Sequence, residues 1–493
     1  MAFEVVILGA GFAGLGMASQ LKAAGENSFL ILEKADRVGG TWRDNSYPGC
    51  ACDIPSLQYW YSFDHPPEWS HVFSPQPEIL RNIEAFAHRQ GLGSHIRLLS
   101  EVTEARWDNA QSLWVIQTTD GKTIEARVLV AAWGQLNRPT LASIPGRDTF
   151  AGPAFHSAQW RHDVDLTGKR VGCIGSGASA IQIVPAIAPQ AGQLSVFQRS
   201  APYIVPRMDR AYDEPERSQF QTDPQFYSTS REAIYRENEI RFGAMLLGSP
   251  TAAEFLTLAR AQLEQQIPDP VLREKLTPDY PLGCKRILLS DDFYPALLRP
   301  NVQLVTEQIT AIEPAGVRTA DGRLHTADVL VYATGFETNS FQGPVEIYGR
   351  RGASLRDQWS TGARAYLGIA VENCPNFFLL YGPNTNLGHN SIIEMLECQF
   401  RYVLEALSLL RDAEALEVKR EAANRFHHEV QDDLRKTAWG AGCHSWYKTA
   451  DGQIVNNWSG SVEDYKAATA HLNQSDYDLI KPLPLRYTSP QPA

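Results

Sequence analysis

The chain carries a glycine-rich phosphate-binding turn twice, at two widely separated points. Gly9-Ala10-Gly11-Phe12-Ala13-Gly14 is the first and Gly175-Ser176-Gly177-Ala178-Ser179-Ala180 the second. Such a turn works between a buried parallel strand and a helix. Glycine lets the backbone approach a pyrophosphate, and the helix N-terminus offers its free N–H groups and dipole to the anion. Each turn therefore calls for a βαβ unit around it. One turn alone says little. Two point to two dinucleotides held at once, and a flavin with a nicotinamide is the commonest reason to need both, because hydride must pass between them.

The flanking sequence supports both units. Phe3 to Leu8 reads as a buried strand, and the helix after Gly14 carries Leu15, Ala18 and Leu21 on one face until Gly25 stops it. Phe29 to Leu32 is the next strand. Glu33 ends it, where a carboxylate can accept hydrogen bonds from an adenosine ribose. In the second unit Val171 to Ile174 is the strand, Ile181 to Ala188 the helix and Leu194 to Gln198 the next strand. Arg199 and Ser200 stand where Glu33 stands in the first. Alanine at position 180, a cation at 199 and a hydroxyl at 200 suit a 2′-phosphate, with Lys285 able to reach in from a distant loop, so the second nucleotide reads as NADPH. The competing reading is a surface Arg199 and NADH.

Between and beyond the units the chain reads as α/β: two Rossmann-like dinucleotide-binding domains, the second inserted in the first, with a helical insertion. Residues 96 to 134 form a strand-rich meander with a hairpin signal at Asp120-Gly121. Asn137-Arg138-Pro139 and Pro145-Gly146 mark the crossing out. The expected division is 1–140 with 370–493 as the FAD-binding domain and 141–369 as the NADP-binding domain. Residues 212–281, charged and broken by Pro215, Pro224, Pro250, Pro268 and Pro270, form the helical insertion. Val329 to Gly335 closes the second domain as Val128 to Gly134 closes the first. The tail adds a strand at Phe377 to Tyr381 and a helix near 391 to 410.

Composition removes several classes. At 493 residues the chain can bury two or three domain cores. A net charge of −11 disfavours a nucleic-acid partner. No apolar run is long enough for a membrane span. The N-terminus lacks a basic region ahead of its strand, so a cytoplasmic protein is expected. The seven cysteines are odd in number and scattered, with no disulfide framework. Cys50-Ala51-Cys52 has no second ligand cluster, so no metal is expected.

Gly39-Gly40-Thr41-Trp42, Tyr47-Pro48-Gly49 and Asp53 make a third constellation. It is a tight loop able to lie against a planar ring system. Asp53 at its end reads equally as a surface acid after a turn or as an acid held near that ring.

Phe150-x-Gly152-x-x-x-His156-x-x-x-Trp160 resembles the identifying sequence of the type I Baeyer–Villiger monooxygenases. Gly39-Gly40-x-Trp42 through Tyr47-Pro48-Gly49-x-x-x-Asp53 is similar to that family's second signature at every defined position. The match runs from about residue 5 to beyond 440, with the glycine turns in the family's order. Arg161 departs from it, standing where the family prefers Pro or Asp. Flavin monooxygenases that oxidise N and S atoms share the Phe-x-Gly-x-x-x-His core but usually lack the tryptophan.

The resemblance implies an FAD- and NADPH-dependent enzyme. In this family NADPH reduces FAD, O₂ adds to give a C4a-peroxyflavin, and a small-molecule ketone becomes an ester or lactone. It implies Arg286, in Gly283-Cys284-Lys285-Arg286, as the group that stabilises the flavin peroxide anion, with Asp53 orienting it. A fixed, permanently charged guanidinium suits that task. It extends the cofactor-binding set to Thr41, Tyr59 and Val102 on the flavin side and Ser176 and Ser179 on the nicotinamide side. Trp446 corresponds to an aromatic residue near nicotinamide and substrate. His156 is expected to be structural, and the role of His389 in Gly388-His389-Asn390 stays open. Motion of the second domain about the Phe150 to Trp160 linker is expected to move the nicotinamide. Two alternatives stand beside this reading. One is oxidation of amines or sulfides with the same cofactors, against which Arg286 argues because ketone attack needs a deprotonated peroxide. The other is a nucleotide-sensing module without turnover, against which the intact Asp53, Lys285 and Arg286 argue. The substrate pocket should be lined by the insertion, the Trp446 region and the tail. Which ketone and which oligomeric state stay open.

Overall fold

Val5, Val6 and Ile7 are fully buried, as a strand covered on both faces must be. The computed structural model describes residues 2–442, 447–449 and 451–480. In chain order the elements that position the site are β1 (Phe3–Leu8), α1 (Phe12–Ala23) and β2 (Phe29–Leu32). Then follow β3 (Val102–Asp108), β4 (Leu113–Thr118), β5 (Thr123–Ala131) and β6 (Ala154–His156). The second unit is β7 (Arg170–Ile174), α2 (Ala180–Ile187) and β8 (Gln193–Phe197). The insertion is α3 (Glu214–Thr222), α4 (Pro224–Arg241), α5 (Pro250–Gln266) and α6 (Pro270–Lys275). Last come β9 (Val302–Val305), β10 (Val329–Tyr332), β11 (Glu346–Tyr348), β12 (Phe377–Leu379) and α7 (Ile392–Leu409).

The first sheet runs β11-β3-β4-β5-β1-β2 and ends on a short strand at Ile96–Arg97. β5 pairs with β4 through its first half, while its second half lies between β1 and β12. The second sheet runs β9-β8-β7-β10-β6, with every pairing parallel. Each sheet places its glycine turn at the carboxyl end of a central strand, where doubly wound sheets bind nucleotides.

Pro215, Pro224, Pro250 and Pro270 begin helices of the insertion rather than break them. Pro224, Pro250 and Pro270 each follow a cap, Asp223, Ser249 and Asp269, whose side chain accepts from the first-turn N–H groups. A proline costs nothing there because its missing N–H would be unpaired in any case.

Three expectations need correction. β11 pairs with β3 in the first sheet, so the chain has returned by residue 346, earlier than the boundary at 369/370. A three-residue strand has too little periodicity to announce itself. The Phe150 to Trp160 segment, expected as a linker, contains β6, an edge strand of the second sheet. The crossings lie elsewhere, where residues 138–140 and 335–337 run side by side: Thr140 N donates to Gly335 O at 2.9 Å and Glu337 N to Arg138 O at 2.9 Å. Finally, Cys50, Cys52, Cys173, Cys374 and Cys398 are free and buried, but Cys284 is disulfide-bonded.

Candidate active site

A continuous cavity of about 1310 Å³ is lined by both glycine turns. Gly9, Gly11, Glu33, Gly40, Thr41, Trp42, Asp53, Tyr59 and Val102 face it from the first sheet's side. Gly175, Ser176, Gly177, Ser179, Arg199, Ser200, Lys285 and Arg286 face it from the second. Gly14 and Ala180 stand behind the turns: a Cβ on Gly14 would collide with the Gly9 carbonyl, and Ala180 is fully buried. Trp446 lies outside the described residues.

The first turn is a cradle that side chains would fill. Gly9 has φ +107°, and a Cβ there would sit 2.7 Å from the Ala132 carbonyl oxygen. The Glu33 carboxylate is buried at the tip of β2, accepting from Ala10 N at 2.8 Å and Ala35 N at 3.0 Å. Arg43, unforeseen from sequence, donates to Glu33 at 3.0 Å and fixes that acid in place. Trp42 Nε1 donates to the Tyr59 hydroxyl at 3.0 Å, joining two of the predicted flavin-side residues.

On the opposite side Arg199, Ser200 and Lys285 converge. Lys285 Nζ donates to Ser200 Oγ at 2.8 Å and lies 4.2 Å over the Tyr280 ring. Burial lowers the Lys285 pKa, and the nearby Arg199 charge lowers it further. Two cations gathered at the end of β8 make a site for a dianion.

Arg286 and Asp53 meet across 233 positions of sequence. Nε and one terminal nitrogen of Arg286 donate to the same Asp53 oxygen, at 3.1 and 2.6 Å. Each side chain is about a third exposed, 32% and 31%, and both line the cavity. Asp53 raises the Arg286 pKa, so the guanidinium stays charged. Tyr447 and Tyr381 lie close enough for their phenols to feel the same charge. Neither was legible as a site residue.

The Tyr47-Pro48-Gly49 turn docks the two sheets' domains together. The Tyr47 hydroxyl donates to Gln182 Oε1 at 3.0 Å, and Gln182 Nε2 donates to Ala51 O at 3.0 Å. Gly49 has φ +79°, and a Cβ there would sit 2.6 Å from the Gln182 carbonyl oxygen. Gln182 belongs to α2, so the loop leading to Asp53 rests directly on the nicotinamide-side helix.

His156 is buried, its Nδ1 accepts from Ala158 N at 3.1 Å, and burial lowers its pKa. Its ring packs edge-on against Phe336. Trp160 packs edge-on against Phe155, and Arg161 makes an exposed ion pair with Asp163. The departure at 161 therefore lies at the surface. His389 Nε2 meets Glu239 Oε1 of α4 at 3.3 Å, and Asn390 donates to that same oxygen at 2.8 Å. This fastens the insertion to the loop after β12. Among the described residues no cluster of His, Cys, Asp and Glu could hold a metal, and no helix is long and apolar enough to cross a membrane.

Residues 6–213 match the family model described as pyridine nucleotide-disulphide oxidoreductase. A Baeyer–Villiger monooxygenase of Streptomyces coelicolor is 40% identical over 98% of this chain and 93% of its own length. One from Pseudomonas aeruginosa is 41% identical over 97% and 91%. Among solved structures, a steroid monooxygenase bound to NADP superposes with a TM-score of 0.87 at 31% identity, covering 98% of this chain and all of its own. Closed cyclohexanone monooxygenase gives a TM-score of 0.88 at 27% identity with the same coverage. Full-length identity of this order, with the two glycine turns and the Arg286–Asp53 pair facing one cavity, means that the chain belongs to the Baeyer–Villiger monooxygenase family.

Proposed function

We propose that the chain is an NADPH-dependent, FAD-containing monooxygenase that inserts one oxygen atom of O₂ beside the carbonyl of a small-molecule ketone, giving an ester or lactone. The observation that carries the reading is the Arg286–Asp53 pair at the meeting point of the two nucleotide cradles. FAD fits the first cradle: a collapsed glycine turn, a ribose-binding acid and an aromatic pair at Trp42 and Tyr59 are assembled there. NADPH fits the second, where Arg199, Ser200 and Lys285 offer two charges and a hydroxyl to a 2′-phosphate. Bound FAD, once reduced by NADPH, supplies the activation of O₂.

The protein's own contribution is positioning and charge. The N–H groups at the starts of α1 and α2 would hold the two pyrophosphates. Gln182 and Gly49 hold the two domains against each other, which would fix how the two cradles face. Arg286 offers a permanent positive charge to the oxygen that must remain anionic to attack a carbonyl. Asp53 holds the guanidinium in place and leaves its remaining N–H groups free for that oxygen. With both nucleotides bound, the cavity would hold less water beside that oxygen.

The test is product identification. FAD-loaded protein is incubated with NADPH, O₂ and a panel of ketones and sulfides, beside Arg286→Ala. Esters from the wild type that vanish in the variant support the reading. Sulfoxides with no ester from any ketone refute it in favour of heteroatom oxidation.

A further inference from the structure

Tyr381 is held in a conformation that a tyrosine does not adopt without compensation. Its φ is +61°, in the left-handed region that bulky residues avoid at a cost of about 1–3 kcal/mol. Three contacts hold it there. Its backbone N–H donates to Gln399 Oε1 at 2.9 Å, its carbonyl accepts from Gln135 Nε2 at 3.1 Å, and its hydroxyl donates to Asn386 Oδ1 at 2.6 Å. Gln399 is a fully buried polar residue of α7. The phenol so held lines the cavity together with Arg286 and Asn386. Strain preserved by dedicated polar contacts at a cavity wall points to use of the side chain there.

The hydrogen-bond chain beyond the phenol is reversible. Asn386 Nδ2 donates to Asn457 Oδ1 at 2.8 Å, and Asn457 Nδ2 is buried with no partner. Turning both amides over keeps each contact and reverses its sense. Asn457 Nδ2 then donates to Asn386 Oδ1, and Asn386 Nδ2 donates to the Tyr381 oxygen. The unpaired atom becomes an amide oxygen, which tolerates burial better than an N–H group. In this second ordering the Tyr381 O–H no longer points to Asn386 and is free for the cavity. Burial raises the phenol's pKa and outweighs the Arg286 charge, so the proton is present throughout the working range.

We propose that Tyr381 is a further catalytic residue, its hydroxyl donating a hydrogen bond to the carbonyl oxygen of the bound ketone while Arg286 serves the attacking oxygen. The hydrogen bond polarises the carbonyl and supports the charge that forms on its oxygen when the new C–O bond is made. No proton need leave the phenol. The inference rests on the ketone-oxidation reading above, and its test is separable from that reading because it does not require turnover.

The first readout is the infrared carbonyl band of ¹³C-carbonyl acetophenone bound to the oxidised, FAD-loaded protein without NADPH. In wild type the band moves to lower wavenumber than in water-excluding solvent. In Tyr381→Phe it returns toward the unbonded position. The second readout is the ratio of ester formed from the fastest ketone to sulfoxide formed from thioanisole, because a sulfide has no carbonyl to polarise. Tyr381→Phe lowers this ratio about 100- to 1000-fold, the range expected for one oxyanion-type donor. Asn386→Asp, whose carboxylate can only accept, pins the phenol proton away from the cavity and lowers the ratio with the hydroxyl still present. A carbonyl band identical in wild type and Tyr381→Phe, or a ratio within threefold of wild type, overturns the proposal. Loss of all oxygenation in Arg286→Ala with an unchanged ratio in Tyr381→Phe would keep the reaction and reject the role of the phenol.

Discussion

Replacing Asp53 with asparagine keeps the side chain's shape and one acceptor but removes the charge that holds Arg286. Two unit charges about 3 Å apart interact by about 5 kcal/mol at an effective dielectric of about 20. The pair is about a third exposed, at 32% and 31%, so water screens much of that. The part that survives is that of hydrogen bonds to a charged group, about 1.5–3 kcal/mol. If this energy positions the guanidinium for oxygen transfer, its loss slows that step about 10- to 150-fold. Hydride transfer from NADPH involves no anionic oxygen and is expected to change far less. The signature is therefore a split. Anaerobic reduction of the flavin, followed by stopped-flow absorbance, stays near the wild-type rate, while ester per NADPH consumed falls and hydrogen peroxide rises. Because the guanidinium keeps its charge across the accessible range, the split should hold from neutral to mildly alkaline pH. Asp53→Asn with ester yield and rate within threefold of wild type would refute the view that Asp53 works by holding Arg286.

Arg199→Met and Lys285→Met each remove one charge from the 2′-phosphate site and should raise the KM for NADPH about 10- to 100-fold, with the KM for NADH nearly unchanged in steady-state assays. Since burial and Arg199 lower the Lys285 pKa, its charge is complete below that lowered value and is lost as pH rises through it. The KM for NADPH should thus climb on the alkaline side earlier than for an exposed lysine, and Lys285→Arg should abolish the climb. Gly49→Ala combines a positive φ with a Cβ 2.6 Å from the Gln182 carbonyl oxygen, and should cost about 1–3 kcal/mol in unfolding and slow flavin reduction by parting the domains.

What sequence reveals here is what is local. The Gly9 and Gly175 turns, Glu33 at the end of β2 and Arg199-Ser200 at the end of β8 were legible because each spacing is imposed by one βαβ unit. The insertion was legible as helical from its charge and prolines, although Pro215, Pro224, Pro250 and Pro270 begin helices rather than end them. Arg286 and Asp53 could be joined only through resemblance, since no periodicity links residues 233 positions apart. Tyr381 left no trace: a tyrosine at the end of an apolar strand reads as core, and its left-handed φ is set by Gln399 and Gln135 from other elements. β11 was missed because three residues carry no pattern, which displaced the domain boundary.

The Arg286–Asp53 pair also explains why the Tyr47-Pro48-Gly49 turn belongs with the catalytic residues. Arg286 stands just before Leu288–Leu289, which pair with Ile204–Val205 at the base of the insertion. Asp53 stands four residues after Gly49, on the loop that rests against α2. The ion pair thus spans the same joint that Gln182 and Gly49 close. When the joint is closed, the anion-holding guanidinium and the two nucleotide cradles come into register together. Parting the joint would take away the carboxylate that orients Arg286. If Arg286 serves oxygen transfer as proposed, its orientation depends on the same docking that brings the two nucleotide cradles together.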